Sequence, residues 1–193
     1  MDDIIARLNP NKTSGLRELG QVDITKLKSM VSKLGEELWQ IETKARENEF
    51  KVFHHTQHII FRFPDTSITR LEVHDNPSWT IWKPFLMPIM EAAVEPYNYK
   101  KGQFKAVMLA KLKAGYSIDM HRDGLPEYYF LHKIHVPIQT NDQVTFHIKP
   151  QNHFLKEGIA YEVNNLLPHY VTNKGEEDRI HLIFEYVNGD FQK

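Results

Sequence analysis

Cysteine is absent from the 193 residues. That excludes disulfides, thiolate nucleophiles and cysteine-based zinc sites, and it suits a reducing compartment. Long hydrophobic runs are also missing, since nothing approaches the roughly 18 consecutive apolar residues of a membrane-spanning helix. Net charge is close to nil: 24 Lys and Arg against 25 Asp and Glu give a formal −1, with a pI near 6.8. No electrostatic footprint for nucleic acid or an anionic membrane surface follows, so neither is expected as a partner. The opening MDDIIARLNPNK has neither the charged-then-apolar order of a signal peptide nor the arginine-rich character of a transit peptide. The expectation is a cytoplasmic protein. Internal repeats, low-complexity tracts and linkers are lacking too, so the chain reads as one domain spanning 1–193.

What is present begins with turn signals at Asn9-Pro10-Asn11 and Ser14-Gly15, and residues 1–22 read as irregular. From Asp23, the residues Ile24, Leu27, Val31, Leu34, Leu38, Ile41 and Ala45 recur in steps of three and four, predicting one helix weakened at Gly35. Its apolar stripe is expected to lie on a sheet. Dimerisation through it is the other outcome, and the oligomeric state stays open with a homodimer included. Strands are predicted at Ile59–Phe63 and Ile68–Val73, and a helix from Pro84 to before Pro96. Beyond Phe104 seven further strands follow at short intervals: Lys105–Lys113, Ser117–Asp123, Lys133–Ile138, Val144–Ile148, Ile159–Val163, Tyr170–Asn173 and Arg179–Val187. That density predicts a sandwich or barrel of the jelly-roll kind, mainly β with packed helices (α+β), rather than alternating β-α units.

Chemistry concentrates in His121-Arg122-Asp123, Pro168-His169 and, ten positions on, Arg179. In an extended strand residues i and i+2 share a face, so His121 and Asp123 can reach one point in space. His169 from a distant strand would complete a two-histidine, one-carboxylate face, an arrangement suited to non-haem Fe(II) because the opposite positions stay open. Arg179 is then a cationic fork for a carboxylate. Other readings stand beside this one. His-Arg-Asp also occurs in protein-kinase catalytic loops, but the Asn required five positions after the Asp is Tyr128, and no glycine-rich loop or Asp-Phe-Gly is present. His121 and Asp123 can be an ordinary surface pair among 11 histidines. Arg179 can be neutralised by Glu176, Glu177 or Asp178. His54, His55 and His58 lack a further partner at metal-ligand spacing and read as surface or strand-edge residues, and Arg122 and His181 read as structural.

A longer register carries a resemblance. Leu112-Lys-Ala-Gly-Tyr-Ser-Ile-Asp-Met-His121-Arg-Asp123, His132-Lys-Ile-His135-Val-Pro137, Glu157-Gly158, Val163-Asn-Asn-Leu-Leu-Pro-His169-Tyr-Val-Thr-Asn173-Lys-Gly175 and Arg179-Ile-His-Leu182 together resemble the aspartyl/asparaginyl β-hydroxylase-like dioxygenases, a family that includes bacterial proline hydroxylases. The resemblance covers roughly residues 105–187. It implies a double-stranded β-helix (jelly-roll, cupin-like) over 105–187, preceded by N-terminal helices and flanking strands over 1–100. It further implies Fe(II) on His121, Asp123 and His169, with 2-oxoglutarate as co-substrate held by Arg179, assisted by His135 and Lys133. Two departures are visible. Lys133 stands where the family commonly has Arg, which keeps the charge and loses the fork. Asp123 is present where the peptidyl-aspartyl branch lacks a carboxylate ligand. Both point toward small substrates.

The implied activity is hydroxylation of a free, proline-like amino acid or of an amino-acid side chain in a peptide, with molecular oxygen consumed. A non-catalytic cupin-like ligand-binding module is the alternative. Trp79, Trp82, Tyr128, Tyr129 and Phe130 either wall a substrate pocket near the mouth or belong to ordinary packing.

Overall fold

The computed structural model describes residues 12–45, 51–64, 72–123 and 129–189. Among the described residues eleven strands fall into two antiparallel sheets. The strands are β1 (Leu16–Gln21), β2 (Thr56–Pro64), β3 (Val73–Asp75), β4 (Gly102–Leu112), β5 (Ser117–His121), β6 (His132–Gln139), β7 (Val144–Ile148), β8 (Gln151–His153), β9 (Ile159–Val163), β10 (His169–Asn173) and β11 (Arg179–Asn188). A seven-stranded sheet runs β1-β9-β6-β11-β4-β2-β3, and a four-stranded sheet runs β5-β10-β7-β8. Helices α1 (Thr25–Val31), α2 (Glu36–Ala45) and α3 (Trp79–Val94) accompany the large sheet. This is the expected mainly β, double-stranded β-helix architecture with packed helices.

Period-two alternation in β11 separates two cores. Ile180, Leu182, Phe184 and Tyr186 join Leu27, Val31, Leu86, Ile89 and Met90 in a core between the large sheet and the helices. Burying each large apolar side chain there stabilises the fold by about 1.5–3 kcal/mol. The opposite face meets the small sheet through Leu112, Ile118, Phe146, Ile148, Tyr161, Val163 and Val171. Arg179 and His181 belong to that second face by parity, so they project between the sheets. The crossing from β4 to β5 is a tight turn in which Tyr116 N–H donates to the Lys113 carbonyl at 3.3 Å. Gly115 sits there at φ +77°, a conformation that L side chains rarely adopt.

Four expectations need correction. Residues 16–21 are not irregular but form β1, an edge strand paired with β9; its mixed Leu-Arg-Glu-Leu-Gly-Gln run carries no clean alternation, because an edge strand is only half buried. The 23–45 helix is two. Lys33 and Leu34 N–H groups bond back only three residues, to Met30 and Val31, and the chain breaks before Gly35. That break resets the helical phase: Trp39 is 2% exposed while the expected Leu38 and Ile41 are 37% and 60% exposed. The helix expected from Pro84 begins at Trp79, since the Ser78 carbonyl already accepts from Ile81 and Trp82 at 3.1 Å. Pro84 then forfeits only the bond to the carbonyl of exposed Thr80. His58, expected at the surface or at a strand edge, is buried within β2. The expected Ile68–Val73 strand lies outside the described residues up to position 71, and the described strand β3 pairs with Arg62–Pro64.

Glu36 fastens α2 to the sheet. Its carboxylate accepts from Lys111 Nζ at 2.6 Å and Gln57 Nε2 at 2.7 Å, with Lys113 Nζ at 3.3 Å. The Lys111 bond, ahead of the others, pulls its pKa from 4.5 down to about 2. A carboxylate with a depressed folded pKa stabilises above its unfolded value and loses that stabilisation as pH falls through the folded one. The side chain is 47% exposed, so solvent screening holds the effect near 1 kcal/mol. Glu36→Gln is therefore expected to lower stability by about that amount at pH 7. In chemical denaturation at stepped pH, the gap from wild type should close between pH 4.5 and about 2.

Candidate metal centre and acid pocket

His121 at the end of β5 lies directly opposite His169 at the start of β10 in the antiparallel register. Their rings stand 4.2 Å apart, centroid to centroid, and His121 Nε2 is 3.9 Å from Asp123 Oδ1. The ligand atoms of His121, Asp123 and His169 all lie within 4.8 Å of one another. Local hydrogen bonds orient both imidazoles. His121 Nδ1 lies 2.8 Å from the Asp119 carbonyl, and His169 Nδ1 lies 2.9 Å from the Leu167 carbonyl. A carbonyl only accepts, so each Nδ1 is assigned the proton and each Nε2 keeps its lone pair. That is the tautomer a metal-ligating histidine needs.

Charge in the cluster is tuned to match. Burial pushes the Asp123 carboxyl upward, but the Lys133 ammonium, the Asn165 amide and the two imidazoles more than offset it, and the net shift is downward. Burial also lowers His169. Two imidazoles and one carboxylate are a donor set suited to a divalent first-row metal with open positions on the other side.

A second group faces this cluster from the large sheet. Arg179 is 2% exposed and its Nη2 donates to His181 Nδ1 at 2.6 Å. His181 Nδ1 also lies 3.4 Å from His135 Nδ1. Phe146 connects the two sides, edge-on to His135 at 5.5 Å and stacked on His169 at 6.2 Å. Burial drives His135 and His181 well below the usual imidazole range, with the Arg179 charge adding to it. Neutral His181 accepts at Nδ1, so its proton is assigned to Nε2. That Nε2 and Arg179 Nε are both buried with no hydrogen-bond partner among the described residues.

Arg179 also has no carboxylate within ion-pair distance among the described residues, and burial lowers its pKa to about 9. Asp178, the nearest acidic residue in sequence, instead accepts from Ala114 N–H at 2.8 Å. Glu176 and Glu177 are exposed. A buried guanidinium with an idle N–H beside an idle imidazole N–H is a fitting cradle for an organic carboxylate.

Lys133 sits elsewhere in the interior than Arg179, with Nζ 3.7 Å from Asp123 Oδ2 and 3.2 Å from Glu185 Oε1. Trp79 and Trp82 do not wall a pocket; they are 5% and 7% exposed within the helix-side core, on the far side of the large sheet. Tyr129 and Phe130 pack against Leu131, Leu166 and Val187, and Tyr128 lies outside the described residues. Arg122 is exposed. Two residues join the site without a sequence signal strong enough to place them there. His181 shares the parity of Arg179, which hinted at the interior, whereas nothing in the sequence marks Asn165.

Comparison with known proteins agrees with this picture. A family model described as aspartyl/asparaginyl beta-hydroxylase matches residues 83–188, more than half of the chain. A search of curated protein sequences gave no match. Among solved structures, an oxidoreductase of the 2OG-Fe(II) oxygenase family from Burkholderia pseudomallei superposes with a TM-score of 0.61 at 13% identity, covering 97% of this chain and 89% of that one. A prolyl hydroxylase from Trichoplax adhaerens, solved with a peptide fragment of the hypoxia inducible factor oxygen degradation domain, gives 0.60 at 11% identity, with 99% and 90% covered. HygX from Streptomyces hygroscopicus, with nickel and 2-oxoglutarate bound, gives 0.55 at 12% identity, with 92% and 84% covered. At such identities the structural likeness speaks for the fold. No described helix is long and apolar enough to cross a membrane. With more than half of its length matched by one family model and its strands in that jelly-roll arrangement, the chain belongs to the aspartyl/asparaginyl β-hydroxylase family of enzymes.

Proposed function

We propose that this protein is an Fe(II)- and 2-oxoglutarate-dependent dioxygenase that hydroxylates a free, proline-like amino acid or an amino-acid side chain in a peptide. It works as a single domain, in the cytoplasm. The observation that carries the reading is the buried Arg179 guanidinium, with an Nε that has no hydrogen-bond partner and no carboxylate within ion-pair distance among the described residues, alongside the His121/Asp123/His169 cluster. A buried cation without an anionic partner is costly, and a dicarboxylate co-substrate would supply that partner.

In this reading His121 Nε2, Asp123 Oδ1 and His169 Nε2 hold Fe(II). Bound there with 2-oxoglutarate, Fe(II) supplies the oxidative decarboxylation that activates oxygen for insertion into a substrate C–H bond. The protein's own part is placement. Arg179 grips the distal carboxylate as a two-pronged donor, and the His181 Nε2–H, idle in the free protein, adds a third. His135 and Lys133 approach from the same large sheet and steady the metal-proximal end. Phe146, 3% exposed and stacked on His169, keeps water from that side of the centre and fixes the imidazole plane. Such fixed orientation is the main contribution a protein makes to chemistry borne by a cofactor.

The test is conversion of 2-oxoglutarate to succinate by protein reconstituted anaerobically with Fe(II) and then exposed to oxygen. Slow iron-dependent succinate formation is expected without any added substrate. It should accelerate when the right amino acid or peptide is present, with the mass gain of one oxygen atom in the product. Metal binding without succinate formation would instead fit a non-catalytic ligand-binding module.

A further inference from the structure

We propose that Asn165 is a positioning residue that presents one oxygen of Asp123 to the metal, and that Lys12 sets the orientation of its amide. The inference rests on the metal-centre reading above.

Asn165 is 1% exposed and bonds Asp123 twice. Its main-chain carbonyl accepts from Asp123 N–H at 2.9 Å, and its Nδ2 donates to Asp123 Oδ2 at 2.9 Å. The other end of the amide, Oδ1, accepts from Lys12 Nζ at 3.2 Å. Lys12 is itself buried, 9% exposed, and also donates to the Leu131 carbonyl at 2.5 Å. An ammonium has donors only, so the amide end beside Lys12 has to be oxygen. The end beside Asp123 is then the NH2 group, and the chain of bonds runs ammonium, amide, carboxylate in one sense.

The consequence falls on the two carboxylate oxygens. Oδ2 is engaged by Asn165 and also faces Lys133 Nζ at 3.7 Å, whereas Oδ1 faces His121 Nε2 at 3.9 Å. One oxygen is tied back and the other is aimed at the histidines, which favours single-oxygen ligation. It also fixes χ angles that a carboxylate just beyond the end of β5 would otherwise sample, because Asp123 lies two residues past the last strand position. A neutral amide performs this without cancelling the charge of the ligand. Lys12 comes from before β1, so the N-terminal segment contributes to the centre although its sequence carries no metal-ligand motif.

Partners that orient metal ligands cost about 10–100-fold in metal affinity when removed. The measurement is titration with Co(II) alone, followed by its visible absorption, which reports both affinity and ligand geometry without turnover. Asn165→Ala is expected to weaken Co(II) about 10–100-fold and to alter the absorption band. Asn173→Ala is the control: it is equally buried at 1% exposed, but lies at the other end of β10 and donates to the Glu177 carbonyl at 2.8 Å. It should lower thermal stability and leave Co(II) affinity within about threefold of wild type, a change worth less than 1 kcal/mol. Lys12→Met, which keeps the length of the side chain but gives up the Nζ bonds to both Asn165 Oδ1 and the Leu131 carbonyl, is expected to weaken Co(II) by about 3–10-fold, and it carries the test should Asn165→Ala fail to fold. Wild-type affinity in Asn165→Ala, or in Lys12→Met in that event, overturns the proposal, as does an equal loss in Asn173→Ala. Failure of the wild-type protein itself to bind Co(II) would instead overturn the metal-centre reading.

Discussion

Arg179→Met is expected to remove 2-oxoglutarate binding while making the free protein more stable. The two effects come from the same atoms. Charge-assisted hydrogen bonds contribute about 1.5–3 kcal/mol each, so losing a two-pronged grip lowers co-substrate affinity by about 100-fold to 10,000-fold. Among the described residues the guanidinium has one imidazole partner and its Nε has none, and burial lowers its pKa from 12.5 to about 9. That shift corresponds to a penalty on the order of 5 kcal/mol as an upper bound. A base whose folded pKa is depressed charges at the expense of stability at every pH below the folded value. The penalty is full below about pH 9 and relaxes above it. Methionine fills similar space without charge, and replacing a buried ion by an apolar side chain is neutral or stabilising by about 1–4 kcal/mol. Thermal unfolding at pH 7 should therefore show a rise of several degrees in Arg179→Met. Added 2-oxoglutarate should raise the melting temperature of wild type and leave that of the variant unmoved. A variant that is strongly destabilised and still responds to 2-oxoglutarate would contradict the assignment of Arg179.

His169→Ala is expected to have the largest effect on the metal. Orienting partners alone cost about 10–100-fold, so loss of a ligand atom should exceed about 100-fold in Co(II) or Fe(II) affinity. Succinate formation should fall below detection. The fold should survive, because the β10 backbone bonds to β5 and β7 do not depend on the side chain. The imidazole itself is 7% exposed and stacked on Phe146, so a stability loss of about 1–3 kcal/mol is expected. Imidazole in the buffer should restore part of the metal affinity. Equilibrium dialysis with and without it checks the point.

Strands were the most legible feature of this sequence, and the reason is physical. Val144–Ile148 and Ile159–Val163 coincide with the structure at both ends, because each is a short run with turn residues on both sides. Runs whose burial is set by tertiary neighbours were harder to read. β1 borrows its pairing from β9, and α2 turned Trp39 inward and left Ile41 outside once the chain slipped at Gly35. Tryptophans 79 and 82 have aromatic character that suits a pocket or a core equally, and only the placement of α3 decides between them. The site divides the same way. His121, Asp123 and His169 carry their chemistry in their residue types, and the spacing of the first two suggested a shared side, although β5 stops at His121 and Asp123 lies beyond it. Asn165, His181 and the Lys133–Glu185 pair take their roles from which strand lies opposite which, as in the register of Lys133 against Glu185. Residue type alone does not encode that.

The most direct measurement of the central claim is anomalous diffraction from crystals grown anaerobically with Fe(II). One strong peak is expected within ligand distance of His121 Nε2, Asp123 Oδ1 and His169 Nε2, with added 2-oxoglutarate reaching from it to the Arg179 guanidinium. Iron bound elsewhere, or no iron between β5 and β10, would contradict the account.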